Sequence, residues 1–238
     1  MKISKNDSNP DIMKNINDFW RQLTKKEISG KVHREMVGGY WDEIGTLQCN
    51  FLKDRGLLPK HKFVDVGCGA FRGGVHFIDY LDTGNYYGLD INESLIEAGL
   101  LELKELNLQT KNPNVLINSQ FNLSFFNTKF DYGIAQSLFT HLLINNILRC
   151  LVEVSRVLKP DGKFYATFFE APSSVYLDRL VQNPGNTVTN YDSDPFHYSY
   201  EEFEMFARLS GLNVELIGDW DHPRNQKMLR FTLPKQGH

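Results

Sequence analysis

The stretch FVDVGCGAFRGG, residues 63–74, decides how the rest of the chain is read. An apolar run suited to a buried strand contains one acid, Asp65, and leads directly into Gly67 and Gly69, after which a helix-like segment begins. Glycine accepts the left-handed backbone of a tight strand-to-helix turn and lets backbone amides approach a ligand at the helix start. Two nucleotide-binding signatures share this outline. The dinucleotide fingerprint G-x-G-x-x-G needs a third glycine where Arg72 stands, and the phosphate-gripping G-x-x-x-x-G-K-[ST] occurs nowhere in the chain. What remains is D-x-G-x-G, an acid two residues ahead of the first glycine.

Outward from this turn, short apolar runs alternate with helical stretches. The runs are YYGLDI (86–91), NVLIN (114–118), FDYGIA (130–135) and KFYATFF (163–169); helix-like segments lie near 73–81, 93–104 and 141–157. In the last of these, Ile144, Ile147, Leu148, Leu151 and Leu158 form one stripe, while Asn145, Arg149, Glu153 and Arg156 face away. Strands separated by helices of this length predict βαβ units and a doubly wound α/β fold, with Pro160-Asp161-Gly162 as a turn. The polar stretch 171–198 reads as a lid-like insertion. A helix over 200–212 precedes VELIGDW (214–220) and KMLRFTL (227–233), which are too close together for a helix between them and must pair antiparallel. On the N-terminal side, Ile12, Ile16, Phe19 and Leu23, then Leu47, Phe51 and Leu52, recur at helical spacing as far as Arg55-Gly56.

Composition narrows the class. With 238 residues, 41% apolar and 23% charged, the chain has the balance of a folded α/β domain with a small accessory piece. A formal charge of −3 argues against a protein that grips nucleic acid through its phosphates. Residues 1–60 are net +3, which suits a solvated helical surface and leaves open contact with an anionic substrate; residues 61–238 are net −6. Cys49, Cys68 and Cys150 are too few and too scattered for a disulfide framework or a zinc site, and fit a reducing compartment. There is no secretory leader pattern and no membrane-length apolar run, so the expected setting is soluble and cytoplasmic, with no membrane partner. No cluster of His, Asp or Glu has metal-ligand spacing, so no metal is expected.

A second acid sharpens the reading of the turn. Asp90 ends the second strand, 21 residues after Gly69, where a carboxylate can accept both hydroxyl protons of a ribose; capping of the helix that begins at 93 is the competing role. With these two features in order, the chain resembles the class I S-adenosylmethionine (SAM)-dependent methyltransferases. FDYGIAQSLFTHL (130–142) is similar to the family's fourth motif and RVLKPDGKFYATFF (156–169) to the helix–turn–strand after it, so the likeness spans roughly residues 60–235. GTLQCNFLKDRGLLPKH, the Arg-Gly-Gly after the glycine turn, SLFTHL and HPRNQKM resemble small bacterial methyltransferases that modify sugars and related small molecules, several of them in surface-polysaccharide pathways.

The resemblance implies a Rossmann-like seven-stranded sheet with an antiparallel last strand. It implies a helical N-terminal cap over 1–60 and a SAM-binding domain over 61–238. It places SAM at Asp65, Gly67, Cys68, Gly69, Arg72, Asp90 and Ile91, with Gln136 and Ser137 below the methionine moiety. The family often has a third glycine where Phe71 stands, so the loop is expected to be less permissive there or to hold the methionine carboxylate differently. In place of the acid common beside the adenine, Asn118 and Gln120 offer amides. Tyr40 and Trp41 offer aromatic faces to the sulfonium, or simply pack.

The implied activity is O-methylation of a small polar acceptor, a sugar or activated sugar-like precursor. A hydroxyl acceptor benefits from a general base. His141, just past the fourth strand, is the first candidate; His197 in DPFHYSY and Glu170 at the end of the fifth strand follow. His222 in DWDHPR sits in the loop joining the last two strands, where Arg224 could meet an anionic group; His33, His61 and His76 read as structural, and His238 is terminal. Three rivals are an RNA or protein methyltransferase of the same fold, a catalytically silent SAM-binding protein, and a nicotinamide-dependent oxidoreductase, against which Arg72 counts. Oligomeric state is left open.

Overall fold

The computed structural model describes residues 2–5, 19–172, 178–189 and 194–235. The helical periodicity expected around Ile12 and Ile16 lies outside them. The chain forms two compact units, and among the described residues the division falls after Ser119.

The first unit holds strand β1 (Lys2–Lys5), the short helices α1 (Lys25–Ser29) and α2 (Val32–Met36), α3 (Trp41–Asp54), β2 (Phe63–Val66), α4 (Gly74–Tyr80), β3 (Tyr86–Asp90), α5 (Glu93–Glu105) and β4 (Asn114–Ile117). Its sheet runs β1-β4-β3-β2, all parallel. β2 is buried at all four residues, as a strand covered on both faces must be, so Asp65 sits inside a continuous apolar layer. The edge strand β1 was not anticipated from the sequence.

The cap segment belongs to this unit because of specific polar anchors. Asn92 caps α5 by accepting from the Leu95 amide, and its Nδ2 donates to the carbonyls of Phe19 (2.7 Å) and Arg21 (2.9 Å). The Leu23 amide donates to Ser94 Oγ at 2.8 Å. Glu102 on α5, buried, receives Nε and Nη2 of Arg34 and faces Nε2 of the buried His33 at 2.8 Å. Leu23, Ile28, Trp41, Ala70, Leu95 and Ala98 close a shared apolar core.

The second unit holds β5 (Phe130–Ala135), α6 (Ile144–Val157), β6 (Leu158–Glu170), the two-residue strands β7 (Val181–Gln182), β8 (Thr187–Val188) and β9 (His197–Tyr198), α7 (Tyr200–Ser210), β10 (Asn213–Gly218) and β11 (Lys227–Thr232). β5 and β6 are parallel, joined through α6; β11 lies between β6 and β10 and is antiparallel to both. All seven expected strands are present. The strands are mostly parallel with an antiparallel last one, the Rossmann-like α/β arrangement. Pro160-Asp161-Gly162 does not form the expected turn: α6 passes straight into β6, and the register steps from Phe130↔Leu158 to Tyr132↔Lys163, so these residues form a bulge on a continuous strand. Within 171–198, β7 and β8 pair antiparallel and β9 pairs with β6 in parallel. α7 is set by the capping box of Ser199 and Glu202 and ends at left-handed Gly211. Its inner face places Phe203 against Phe139, Phe168 and Phe206, with ring centroids 4.8 to 5.8 Å apart.

Candidate functional site

In the first unit the C-terminal ends of β4, β3 and β2 lie side by side, where open α/β sheets bind ligands. Gly67 (φ 75°) and Gly69 (φ 52°) adopt the left-handed backbone expected of the turn. The amides of Gly67 and Cys68 donate to the carbonyl of Leu89, which fastens the turn to β3. Asp90 fastens it again: Oδ2 accepts from the Gly69 amide and Oδ1 from the Asn92 amide, both at 2.8 Å. Asp90 is not the helix cap, since Asn92 has that role. A carboxylate has about four acceptor sites, so the amides bonded to it leave capacity for a hydroxyl proton. Burial pushes its pKa up, against the opposing pull of the amides of Asn92, Gly69 and Ile91.

Asp65 accepts from Tyr86 Oη at 2.8 Å. Burial pushes its carboxyl up to about 7, with the Tyr86 hydrogen bond and Arg72 acting the other way and Asp90 reinforcing the rise. Cys68 is buried and its thiol is raised well above the usual range for the same reason. Asn118, also buried, follows β4, and its backbone N–H donates to the Asp90 carbonyl at 2.9 Å.

Phe71 stands where a third glycine is common, and the loop keeps the left-handed conformation there with a phenylalanine (φ 64°). The ring compensates by packing. It is fully buried and meets Tyr86 edge-on at 6.0 Å. Its slot exists because two helix residues lack side chains: a Cβ on Gly99 would lie 2.6 Å from Phe71 Cδ2, and one on Gly74 would lie 2.8 Å from Phe71 Cβ.

Two of the expected donor contacts serve the cap. Arg72 donates through Nη1 to the carbonyls of Val37 (2.9 Å) and Gly39 (2.8 Å) and is buried. Trp41 is buried in the cap core, edge-on to His33, and the Arg34 guanidinium lies over its ring at 4.8 Å. That aromatic face therefore already carries a cation of the protein's own. Tyr40 is about half exposed and left-handed at the start of α3.

In the second unit, Gln136 and Ser137 follow β5 and enter a hydrogen-bonded group with residues from β6 and the β10–β11 loop. Gln136 Nε2 donates to Ser137 Oγ (2.6 Å), as does Gln226 Nε2 (2.8 Å). Thr167 Oγ1 receives the Ser137 amide and donates to Gln226 Oε1, each at 2.7 Å. His222 stacks on Trp220 and lies 3.3 Å from the Gln136 amide. Ser137 is left-handed (φ 56°), a conformation that this network holds in place. Gln120 accepts from Arg149 on α6.

Of the three candidate bases, His141 ends a 3-10 turn (Phe139–His141), and its Nδ1 is hydrogen-bonded to Asp194 Oδ2. His197 is buried, stacked on Phe169, and bonded at both ring nitrogens, to Gln182 Oε1 and Thr189 Oγ1. Burial pushes its pKa down to about 4. Glu170 is exposed at the end of β6. Sequence reasoning missed Tyr86, Thr167, Asp194 and Gln226. Asp194 and Gln226 stand within the DPFHYSY and HPRNQKM segments already singled out, yet nothing local shows what they touch.

Residues 64–166 match the family of methyltransferase domains. Over this span the chain is similar to SAM-dependent methyltransferases. It is 25% identical over 192 residues to the uncharacterized methyltransferase YcgJ of Bacillus subtilis, covering 79% of this chain and 70% of that one. It is 23% identical over 184 residues to the demethylmenaquinone methyltransferase of Staphylococcus saprophyticus, covering 77% and 76%. In fold it is similar to a SAM-dependent methyltransferase from Clostridium acetobutylicum, with TM-score 0.63, 11% identity, and coverage of 88% of this chain and 99% of that one. The cofactor of the methyltransferase is SAM. The first unit fits it: a glycine turn with its amides at a ligand-binding edge, a buried carboxylate with spare acceptor capacity, and a buried amide beside it. Among the described residues no helix is long and apolar enough to cross a membrane.

Proposed function

We propose that this methyltransferase transfers the methyl group of SAM to a hydroxyl of a small polar acceptor, a sugar or activated sugar-like precursor of surface polysaccharide, in the cytoplasm. One observation carries the polar acceptor: the group Gln136, Ser137, Thr167, His222 and Gln226 gathers amide, hydroxyl and imidazole side chains at the end of β5 and in the β10–β11 loop. Gln136 and Ser137, its partly exposed members, suit an acceptor rich in hydroxyls. The net charge of −6 over residues 61–238 weighs against RNA.

When bound, SAM supplies a methyl carbon on a positively charged sulfur, whose C–S bond breaks with its electron pair going to sulfur as an acceptor oxygen forms the new C–O bond. The chain does the rest. Asp90 accepts a ribose hydroxyl proton while holding the turn through Gly69, and Asn118 hydrogen-bonds the adenine edge. Positioning donor and acceptor at attack distance supplies most of the acceleration. His141 takes the proton of the acceptor hydroxyl.

Methyl-labelled SAM incubated with the protein and a panel of free and nucleotide-activated sugars, transfer RNA, a peptide mixture and a demethylated quinol tests this. Label is expected in a sugar, as a methyl ether stable to mild alkali. Label confined to RNA, peptide or quinol, or tight SAM binding with no transfer to any member of the panel, would overturn it.

A further inference from the structure

His141 and Asp194 come from segments 53 residues apart, yet their side chains meet, Nδ1 against Oδ2. Isolated ion pairs on a surface contribute little and are loosely held. This one is different in two respects. Both side chains are largely covered, 27% and 14% exposed. The backbone on each side is also tied to the other: the Phe196 amide donates to the Thr140 carbonyl at 2.7 Å, and Tyr198 Oη donates to the Leu142 carbonyl at 2.5 Å. The two segments are themselves anchored, since Thr140 Oγ1 donates to the Ser137 carbonyl (2.8 Å) and the Tyr198 carbonyl accepts from the Ala171 amide (2.9 Å). Residues on both sides of the pair are therefore fixed by bonds that do not depend on it.

We infer that Asp194 is the positioning residue of His141, fixing which ring nitrogen carries the proton. The inference rests on the reading of His141 as the general base. An ionised carboxylate only accepts hydrogen bonds, so the nitrogen facing it, Nδ1, bears the hydrogen, and the lone pair of the neutral ring is placed on Nε2. During transfer the proton leaves the acceptor hydroxyl and bonds to Nε2, the O–H electron pair stays on oxygen, and the ring gains a positive charge. Asp194 keeps no proton and offsets that charge. It touches neither donor nor acceptor. Its effect falls on the turnover step and leaves SAM binding alone.

The test uses the full chain with ¹⁵N-labelled histidine in mildly alkaline buffer. The expected wild-type spectrum has His141 protonated at Nδ1. In Asp194→Asn, whose amide can offer either an oxygen or an N–H, and in Asp194→Ala, the hydrogen redistributes toward Nε2. The same variants lower kcat by roughly 10²-fold or more, with SAM affinity and the acceptor KM within about threefold of wild type, a split characteristic of an effect on the chemical step. Asp194→Asn keeps the size of the side chain and serves if Asp194→Ala fails to fold. A changed ring spectrum without a fall in kcat overturns the inference, and so does a fall in kcat without a changed spectrum, because Asp194 would then act only by shaping its segment. His141→Ala separates the two levels. If that variant turns over at the wild-type rate, the base and the inference fall together; if it is inactive while Asp194→Ala is fully active, the base stands and the inference alone falls.

Discussion

Gly99→Ala adds a single methyl group to α5, at a position where alanine is the better helix former by about 1 kcal/mol. In this protein it is expected to destabilise. The new carbon would lie 2.6 Å from Cδ2 and 2.8 Å from Cγ of Phe71, and 3.0 Å from the Ala70 carbonyl carbon. The ring has nowhere to retreat: it is fully buried, Tyr86 meets it edge-on, and Gly74 already gives it the nearest possible approach to α4. Overpacking of this severity costs up to about 3 kcal/mol, so the net loss is about 2 kcal/mol after the helix gain. Phe71→Gly loses the packing of a buried ring, about 3 to 5 kcal/mol, and recovers about 1 kcal/mol by relieving the left-handed backbone. In the Phe71→Gly background the two ring contacts are gone and only the tight approach to the Ala70 carbonyl carbon remains, so Gly99→Ala should be neutral or stabilising by up to about 1 kcal/mol. The double variant is thus expected to match or exceed Phe71→Gly, a coupling of about 2 to 3 kcal/mol between the two sites. Urea unfolding of the four proteins, extrapolated to water, measures it. Equal costs of Gly99→Ala in both backgrounds, or no cost in the wild type, would refute the slot as the reason a phenylalanine can occupy a glycine's conformation.

Two further predictions concern pH. Burial holds the Asp65 carboxyl at about 7 in the folded protein against an ordinary 3.8, so the folded state retains a proton that the unfolded chain gives up. Stability therefore falls as pH rises from about 4 to 7, by about 4 kcal/mol at about 1.4 kcal/mol per unit; Asp65→Asn, which still accepts from Tyr86, should raise Tm relative to wild type at pH 8 and not at pH 4, and equal Tm differences at both values would contradict this. His197 has the opposite sign: burial lowers its pKa from 6.5 to about 4, so the unfolded chain takes up the proton first and stability is lost as pH falls across that range. His197→Gln should make the acid decline in Tm shallower, and an unchanged slope would show that the ring is not kept neutral.

Much of the fold was legible because its signals are local. The apolar run 63–66 and the alternation that follows located all seven strands within a few residues, since buried parallel strands and amphipathic helices each impress a period on the sequence. The glycine turn was legible for the same reason, and Asp90, placed by its spacing at the end of the second strand, is bonded to that turn through the Gly69 amide. Pro160-Asp161-Gly162 misled because the same residues serve a turn or a bulge, and only the pairing with β5 decides between them. For Arg72 and Trp41 the sequence offered both a ligand and a packing role, and the partners they have, the carbonyls of Val37 and Gly39 and the guanidinium of Arg34, come from the cap and leave no trace in the spacing. His141 was legible as a residue and Asp194 as its partner was not, because a contact across 53 residues has no period to reveal it.

Isothermal titration calorimetry of the whole chain with SAM and with S-adenosylhomocysteine, on the wild type and on Asp90→Ala, tests the cradle formed by the glycine turn and its buried acid. One site is expected for each nucleoside in the wild type. Asp90→Ala removes hydrogen bonds to a charged acceptor worth about 1.5 to 3 kcal/mol each, so the variant should bind at least about tenfold more weakly. Absence of heat with both nucleosides in the wild type, or the same Kd in the variant, would contradict the account.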